Sequence, residues 1–379
     1  MNTGTRHTPT DPPPAPTTPG QPGLILDVRP HWKNDAHRLL LNLAGRLPDA
    51  ALTRLRALLA ANDRTAFAAD LGHTVVAEAT ALSEPDEDLV AELLEADGLD
   101  SSPLDDLPPL SAETALHITH TFTAQQPAGE LNSGDHHDAS DRAAVAAVAH
   151  TPGIRGLWRT WRWPADTDST PPRRIHLVET DRTVDLPALA ARLQQHLETP
   201  EDPHPQVEAY ATGAALPRYQ QLARTHGTLL WMPTPHHPLR LAPVFDEPHA
   251  ESGPRFLPDH PRTTDPGEAA LVIAYLRSGE LLLASPELAD DILRPYREAV
   301  VPVDIRTDGA WIWTDATTYY LEEHGLEPHP DLLAHIRAAA YAAPEVDGAT
   351  RHRAIDLLTG TNIDERAFGL RLDTAAGLL

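Results

Sequence analysis

The sequence predicts an α+β or α/β protein, in which a small N-terminal helical domain is followed by a mixed α/β domain with a central sheet. Apolar residues before residue 98 recur with the 3.6-residue period of a helix, whereas strand-like segments alternate with amphipathic helices beyond residue 113. The length of 379 residues agrees, because one hydrophobic core rarely grows beyond about 250 residues. We predict a helical domain over 23–98, an acidic linker rich in Pro and Ser over 99–112, and an α/β domain over 113–379.

The first 22 residues are rich in proline and threonine and lack the apolar stretch of a secretory signal, so we predict a disordered tail over 1–22. No run of about 18 apolar residues occurs, so we expect no membrane span. Cysteine is absent, which excludes disulfides, thiolate nucleophiles and Cys-ligated zinc. Because such a composition is typical of reducing compartments, we expect a cytoplasmic protein.

Four helices are predicted in the helical domain. The first carries one apolar stripe, the second begins at Pro48 and is rich in leucine, and the third covers about residues 63–82. The fourth begins at Ser83, whose side chain can cap the helix while Asp86 reciprocates, and it ends at Gly98.

The order of elements predicts the second domain. It reads as a strand at 115–122, a strand at 173–180, a helix at 185–197, a strand at 206–213, a helix at 216–227, a strand at 228–232, a helix at 267–279 and a strand at 280–284. This alternation implies a parallel or mixed sheet covered by helices.

The stretch 306–336 is dense in aromatic rings, and we interpret it as a packed joint rather than a binding site. Its predicted elements are a hairpin turn at Asp308–Gly309, a strand with Trp311 and Trp313 on one face and Ile312 on the other, a helix capped by Thr314 that ends at Gly325, and a helix that starts at Pro330.

The chain contains one lysine, Lys33, and this excludes several enzyme classes. A P-loop and a protein kinase each need a lysine within their motif, and Lys33 lies in no such motif. It is also a poor Schiff-base residue for pyridoxal phosphate, because it follows directly on the predicted tail. Nucleophile-elbow, dinucleotide-binding and zinc-protease motifs are absent as well. We therefore predict no cofactor and favour a non-catalytic role.

The distribution of charge is uneven. Residues 65–141 contain no lysine or arginine but seventeen Asp and Glu residues, which is most of the formal net charge of −25. An acidic surface can serve solubility alone, or it can attract a basic protein partner and speed the encounter. Phosphates would be repelled, so we do not expect this surface to bind nucleic acid directly. The predicted partner contacts are Asp86, Glu87, Asp88, Glu92, Glu95, Asp97, Asp105 and Asp106.

The stretch 155–164 interleaves arginines with tryptophans, a pattern that can stack bases and hold phosphates. It is equally the pattern of an ordinary strand with arginines packed on rings, and we favour that interpretation. As a strand, one face would carry Leu157, Arg159, Trp161 and Trp163, and the other Trp158, Thr160 and Arg162.

Histidines and carboxylates suggest two further sites. His117 and His120 stand three apart in a predicted strand, which places them on opposite faces, and the loop at 134–138 is explained by helix capping, so we predict no metal. An alternative pocket at the carboxyl edge of the sheet would combine the strand-end and loop residues Glu179, Asp181, His236 and His237.

Residues 46–96 carry an "LP" helix start, a leucine-rich helix, a short charged loop and two further helices. In this order of features the segment resembles the small helical immunity proteins of polymorphic-toxin systems, and the remainder resembles uncharacterised α/β proteins. The resemblance implies a non-enzymatic protein that masks a basic, nuclease-like toxin by occlusion, and it carries no catalytic residue. The alternative is an α/β enzyme or small-ligand-binding protein that uses the pocket at the carboxyl edge.

Overall fold

The computed structural model describes residues 31–111, 118–125, 139–165, 171–233, 238–247 and 253–359. The fold is α+β, with helices at the N-terminal end and sheets after them, which confirms the predicted class. No helix in these ranges is long and apolar enough to cross a bilayer. The predicted tail at 1–22 lies outside them.

Four helices form the N-terminal part: α1 His31–Asn42, α2 Asp49–Ala60, α3 Arg64–Ala77 and α4 Glu84–Ala96. Their leucines pack with Phe67 in one apolar cluster. The Oγ of Ser83 accepts the backbone N–H of Asp86, and Gly98 follows α4 with a φ of +70°. Both ends of α4 are therefore confirmed as predicted.

The segment predicted as a linker packs against these helices. It contains a 3₁₀ helix at Ser102–Asp106, whose Leu104 is buried in the cluster of the four helices. The backbone N–H of Leu110 donates to the carbonyl of Leu82 at 2.9 Å. These contacts fix the segment relative to α3 and α4.

The first sheet contains β1 His120–Thr123, β2 Ile154–Pro164, β3 Arg173–Thr180, β4 Gln206–Ala211 and β5 Thr228–Trp231. Its order is β1-β2-β3-β4, and β5 also pairs with β2. Only the β3–β4 pair is parallel in this sheet as described, so the sheet is mixed, as predicted. Helices α5 Ala139–Ala149 and α6 Leu186–Leu197 cover one face, and α7 Arg218–Thr225 packs on the other.

Strand β2 confirms the predicted alternation of faces, since Leu157 and Trp158 belong to different apolar clusters. Trp158 and Trp161 are buried. The guanidinium of Arg174, on β3, lies 4.6 Å from the centre of the Trp161 ring. These two rings are core residues and offer no stacking surface for bases.

Helix α2 is joined to the first sheet by a buried ion pair. Nη2 of Arg56 lies 2.7 Å from Oε1 of Glu208 on β4, and each side chain is 1 % exposed. Nη1 of Arg56 donates to Oε1 of Gln206 at 3.1 Å, and Nε2 of Gln220 donates to the second oxygen of Glu208 at 3.3 Å. The pair thus connects α2, β4 and α7.

Helix α1 is joined to the same strand by His37. Its Nε2 donates to the carbonyl of Ala209 at 2.8 Å, while its buried Nδ1 has no hydrogen-bond partner among the described residues. Burial lowers the pKa of His37 to about 4; the bond to Ala209 opposes this shift, and Arg56 adds to it. The folded protein therefore holds this imidazole in its neutral form.

Acid is expected to destabilise the protein through His37. Because the folded-state pKa lies below the usual value of about 6.5, the unfolded chain binds the proton first as the pH falls. Stability is then retained above pH 6.5 and declines toward pH 4, by about 3 kcal/mol for this residue. Urea denaturation at a series of pH values measures the decline, and His37→Gln should make it shallower. An unchanged slope in that variant would contradict the assignment.

The strands after residue 238 form a sheet of their own, which the sequence pattern did not separate from the first. It contains β6 Arg240–Leu241, β7 Glu280–Leu283, β10 Ile305–Thr307 and β11 Trp311–Thr314, in the order β6-β11-β10-β7. A ribbon of β8 Leu288–Ala289 and β9 Val301–Pro302 lies beside α9. The helices of this part are α8 Pro266–Ser278, α9 Asp315–His324, α10 Pro330–Ala338 and α11 Gly348–Thr359.

The aromatic stretch is a packed joint, as predicted. Trp311 and Trp313 belong to one apolar cluster, and Ile312 belongs to another. The turn residue Gly309 has a φ of +87°, a conformation that favours glycine. Thr314 occupies the N-cap position of α9 but does not cap it with its side chain, because that side chain is buried at the end of β11.

Asp308 does more than form the predicted turn. It is buried, and one carboxylate oxygen accepts the backbone N–H groups of Ala310 and Trp311. The other oxygen accepts the Tyr275 hydroxyl at 2.6 Å and lies 2.8 Å from Nε2 of His335. The turn is therefore tied to both α8 and α10.

Candidate functional site

The exposed side of α4 and the 3₁₀ helix carries a row of carboxylates. Because Val90, Leu93 and Leu94 face the core, most acidic residues of α4 lie on its outer side, and Asp86 is the buried exception among them. None of the row forms an ion pair within the described ranges. We call this row the acidic face; it consists of Glu87, Asp88, Glu92, Glu95, Asp105 and Asp106.

Two of the predicted partner contacts are structural instead. Asp86 is buried, and its carboxylate accepts hydrogen bonds from Nδ2 of Asn42 at 3.0 Å and from Oγ of Ser83 at 2.7 Å. Asp97 follows the C-terminus of α4 and pairs with Nη2 of Arg64 at 2.9 Å. The prediction for these two residues is corrected, because their carboxylates join α4 to α1 and α3 and are not available to a partner.

An apolar groove adjoins the acidic face. It has a volume of about 300 Å³ and lies between α3, the end of α4 and the 3₁₀ helix. Val76 is 37 % exposed at this groove, and Asp100 lies on its rim. Its apolar lining includes Gly72, Val76, Leu94, Leu99, Pro103 and Leu104.

This groove was not predicted from the sequence, although α3 carries two signs of it. Val76 lies outside the buried stripe of α3, and Gly72 occupies a buried position of this helix without a side chain. A Cβ on Gly72 would lie 2.9 Å from a methyl carbon of Leu94, so the missing side chain lets α4 approach closely. Neither sign reveals a groove until the position of the 3₁₀ helix is known.

Glu179 lies near the carboxyl ends of the parallel strands β3 and β4, as predicted. Its side chain is buried, and its Oε2 accepts the backbone N–H of Gly348, the first residue of α11, at 2.7 Å. Burial raises the pKa of this carboxyl, and Arg224 partly offsets the increase. A carboxyl with a raised pKa is suited to proton transfer, but α11 covers this one.

Asp181 lines a cavity of about 330 Å³ at the same edge, and Glu179 does not. The charges around the cavity are largely paired: Nε of Arg155 lies 2.6 Å from Asp181, and Nη2 of Arg182 lies 2.8 Å from Glu345. The cavity thus places both charge signs within reach of a small polar molecule. The other two residues of the predicted pocket, His236 and His237, lie outside the described residues.

The histidines that suggested a metal are only partly described. His117 and the loop at 134–138 lie outside the described ranges, whereas His120 lies on β1. Burial lowers the pKa of His120 to about 4, and Arg162 adds to this effect. In the part of the chain that the structure describes, no three His, Asp or Glu residues are grouped so as to hold a metal.

Comparisons with protein-family models, with curated proteins and with solved structures found no match to this chain, so no residue role is carried over from another protein.

Proposed function

We propose that this chain is a non-enzymatic, cytoplasmic binding protein of the immunity or antitoxin type, which masks a basic protein through the acidic face. The observation that carries the proposal is a row of six carboxylates, without counter-charges in the described ranges, beside an apolar groove. Interfaces commonly combine an apolar centre with a charged rim, and complementary charge speeds association. A basic partner with one apolar anchoring side chain fits this arrangement.

The acidic face carries an intrinsic cost in stability. Asp88 and Glu92 are four residues apart on α4, and Glu92 and Glu95 are three apart, so like charges are neighbours on one helix surface. The last turn of α4 contains no basic residue, although cations are favoured at the C-terminus of a helix. A basic partner would remove this repulsion on binding.

Glu92→Lys is therefore expected to stabilise the protein while it weakens binding. The lysine would form favourable pairs with Asp88 and Glu95 and would interact well with the helix dipole, which together contribute about 0.5–1 kcal/mol at low salt. Thermal and urea denaturation at low and high salt measure this gain. Glu92→Gln, which removes the repulsion without adding attraction, should give a smaller increase. A loss of stability in the lysine variant would show that the acidic face is balanced within the chain itself.

Reversal of the acidic face tests the function itself. The variant Asp88→Lys/Glu92→Lys/Glu95→Lys/Asp105→Lys is expected to bind the basic partner, captured from the native host, about 10- to 100-fold more weakly at low salt, because electrostatic attraction is lost. Calorimetry or surface plasmon resonance over a salt series measures the affinity. Binding by the unaltered protein should fall steeply as salt is added.

Matched controls separate the effect of the acidic face on binding from the effect of net charge. Glu198→Lys/Glu201→Lys/Glu287→Lys/Glu298→Lys makes the same change in charge at exposed positions elsewhere, and it should bind as the unaltered protein does. Ala69→Trp fills the groove from its exposed rim and should lower the affinity without changing its salt dependence. Full affinity in the acidic-face variant, or equal losses in both reversal variants, would contradict the proposed surface.

A second candidate function is the binding of a small polar ligand in the cavity at the ends of β3 and β4. It is favoured by the volume of about 330 Å³ and by the position of the cavity at the carboxyl ends of parallel strands, where α/β proteins hold ligands. A molecule that co-purifies with the protein and is lost from Arg182→Gln would support this function. Retention of that molecule by the variant would place it elsewhere.

A further inference from the structure

A large cleft lies between the N-terminal helices and the first sheet, apart from both sites described above. We call it the junction cleft; its volume is about 960 Å³, and the residues that matter below are Ala44, Arg46, Thr80, Leu110, Ile118 and Arg218. This volume is at the upper end of the range of about 300–1,000 Å³ that small-molecule sites occupy. Contacts between separate parts of a chain are a common place for such sites.

Thr80 is a buried polar residue of this cleft without a partner. The residue is 6 % exposed, and its hydroxyl makes no hydrogen bond in the part of the chain that the structure describes. A buried hydroxyl without a hydrogen bond destabilises the folded protein, because it has lost its hydrogen bonds to water and forms none within the protein. A bound molecule would supply the missing partner.

Another part of the cleft lining favours a negative charge. Helix α7 begins there at Arg218, and its N-cap residue is Pro217, so no side chain caps its first turn. The uncapped N–H groups of a helix start attract anions, and the Arg218 guanidinium, exposed and without an ion pair in the described ranges, adds a positive charge.

A second arginine lines the cleft in the turn after α1. Arg46 donates through Nη2 to the carbonyl of Ala81, and it is only partly exposed. Burial lowers the pKa of Arg46, and Asp86 partly offsets this. The Asp86 carboxylate is already hydrogen-bonded by Asn42 and Ser83, and the remaining carboxylate of the lining, Glu78, is exposed. These two carboxylates therefore leave the uncapped N–H groups at the start of α7 available to an anion.

We propose that the junction cleft binds a small organic anion. Its phosphate or carboxylate group contacts the first turn of α7, Arg218 and Arg46. Its apolar body packs against Ala44, Leu110 and Ile118, and an acceptor atom on it receives the Thr80 hydroxyl. This site is separate from the acidic face, so each can fail without the other.

Calorimetric titration of the full chain with phenyl phosphate and with benzoate tests the proposal. Inorganic phosphate serves as the head-group control and benzyl alcohol as the neutral control. At least one aromatic anion should bind in the millimolar range or tighter, and more tightly than both controls; the stronger of the two identifies the head group. Arg218→Gln should weaken that binding by about tenfold, as the loss of a charged hydrogen bond implies, whereas Arg192→Gln, at an exposed position on α6, should not.

Thr80→Val separates a ligand role from a structural one. In the free protein this variant should raise the melting temperature, because a methyl group replaces an unbonded buried hydroxyl. In the same variant the affinity for the bound anion should fall about fivefold, as the loss of one neutral hydrogen bond implies. A lower melting temperature, an unchanged affinity in both Thr80→Val and Arg218→Gln, or no binding of either aromatic anion would overturn the proposal.

Discussion

Replacement of Arg56 by methionine is expected to lower the free energy of unfolding by about 3–5 kcal/mol, because Glu208 would keep a buried charge without a counter-charge. Both side chains are 1 % exposed, so water cannot replace the lost partner without opening the contact between α2 and β4. Gln206 would also lose a hydrogen bond from Arg56. Urea denaturation followed by circular dichroism measures the change.

The same helix provides the control. Arg54 pairs with Asp70 at 2.6 Å, but its side chain is 53 % exposed. Arg54→Met should therefore lower the free energy of unfolding by less than about 1 kcal/mol. The double variant Arg56→Met/Glu208→Leu removes both buried charges and should recover most of the stability lost in the single variant. If Arg56→Met costs no more than Arg54→Met, or if the double variant recovers nothing, the buried pair does not connect α2 to the sheet in the way described.

Replacement of Trp313 by alanine is expected to lower the free energy of unfolding by about 3–5 kcal/mol, the range found for deletion of large buried rings. The ring is fully buried and packs so closely on Gly279 that a Cβ there would lie 2.4 Å from it. Its Nε1 also donates to the carbonyl of Leu276 at 3.2 Å. The variant would therefore leave both a cavity and an unbonded carbonyl between α8 and the second sheet.

Tyr296 is the matched aromatic control for this variant. It is 81 % exposed, so Tyr296→Ala removes a large ring without opening a cavity and should change the stability by less than about 0.5 kcal/mol. Urea denaturation of both variants gives the comparison. Near-equal effects would show that the aromatic stretch is not the packed joint of this region.

Local signals in the sequence predicted the fold well where they act over a few residues. The cap at Ser83, the stop at Gly98 and the turn at Gly309 depend on backbone preferences of single residues, and each is present in the structure. The alternation along β2 was also predictable, because a buried strand must place successive side chains on opposite faces. The cap predicted at Thr314 failed because tertiary packing turned its side chain into the core.

The candidate site was harder to predict, because it depends on contacts between distant segments. The sequence pairs Asp86 with Ser83 at the start of α4, but only the fold shows that the carboxylate is buried and also accepts a hydrogen bond from Asn42 on α1. Arg56 interrupts the leucine stripe of α2, which signals a buried charge, but its partner Glu208 is 152 residues away. The division of the strands into two sheets was equally hidden, since strands of either sheet have the same period.

The ion pair between Arg56 and Glu208 also limits how this protein can be divided or recombined. Residues 46–96 contain helices α2, α3 and α4, yet they include Arg56, whose counter-charge belongs to a strand far along the chain. If this segment were grafted onto another protein, the guanidinium of Arg56, which is buried here, would face water beside an apolar surface. Transfer of the acidic face to another protein would therefore have to include β4, or replace Arg56 at the same time.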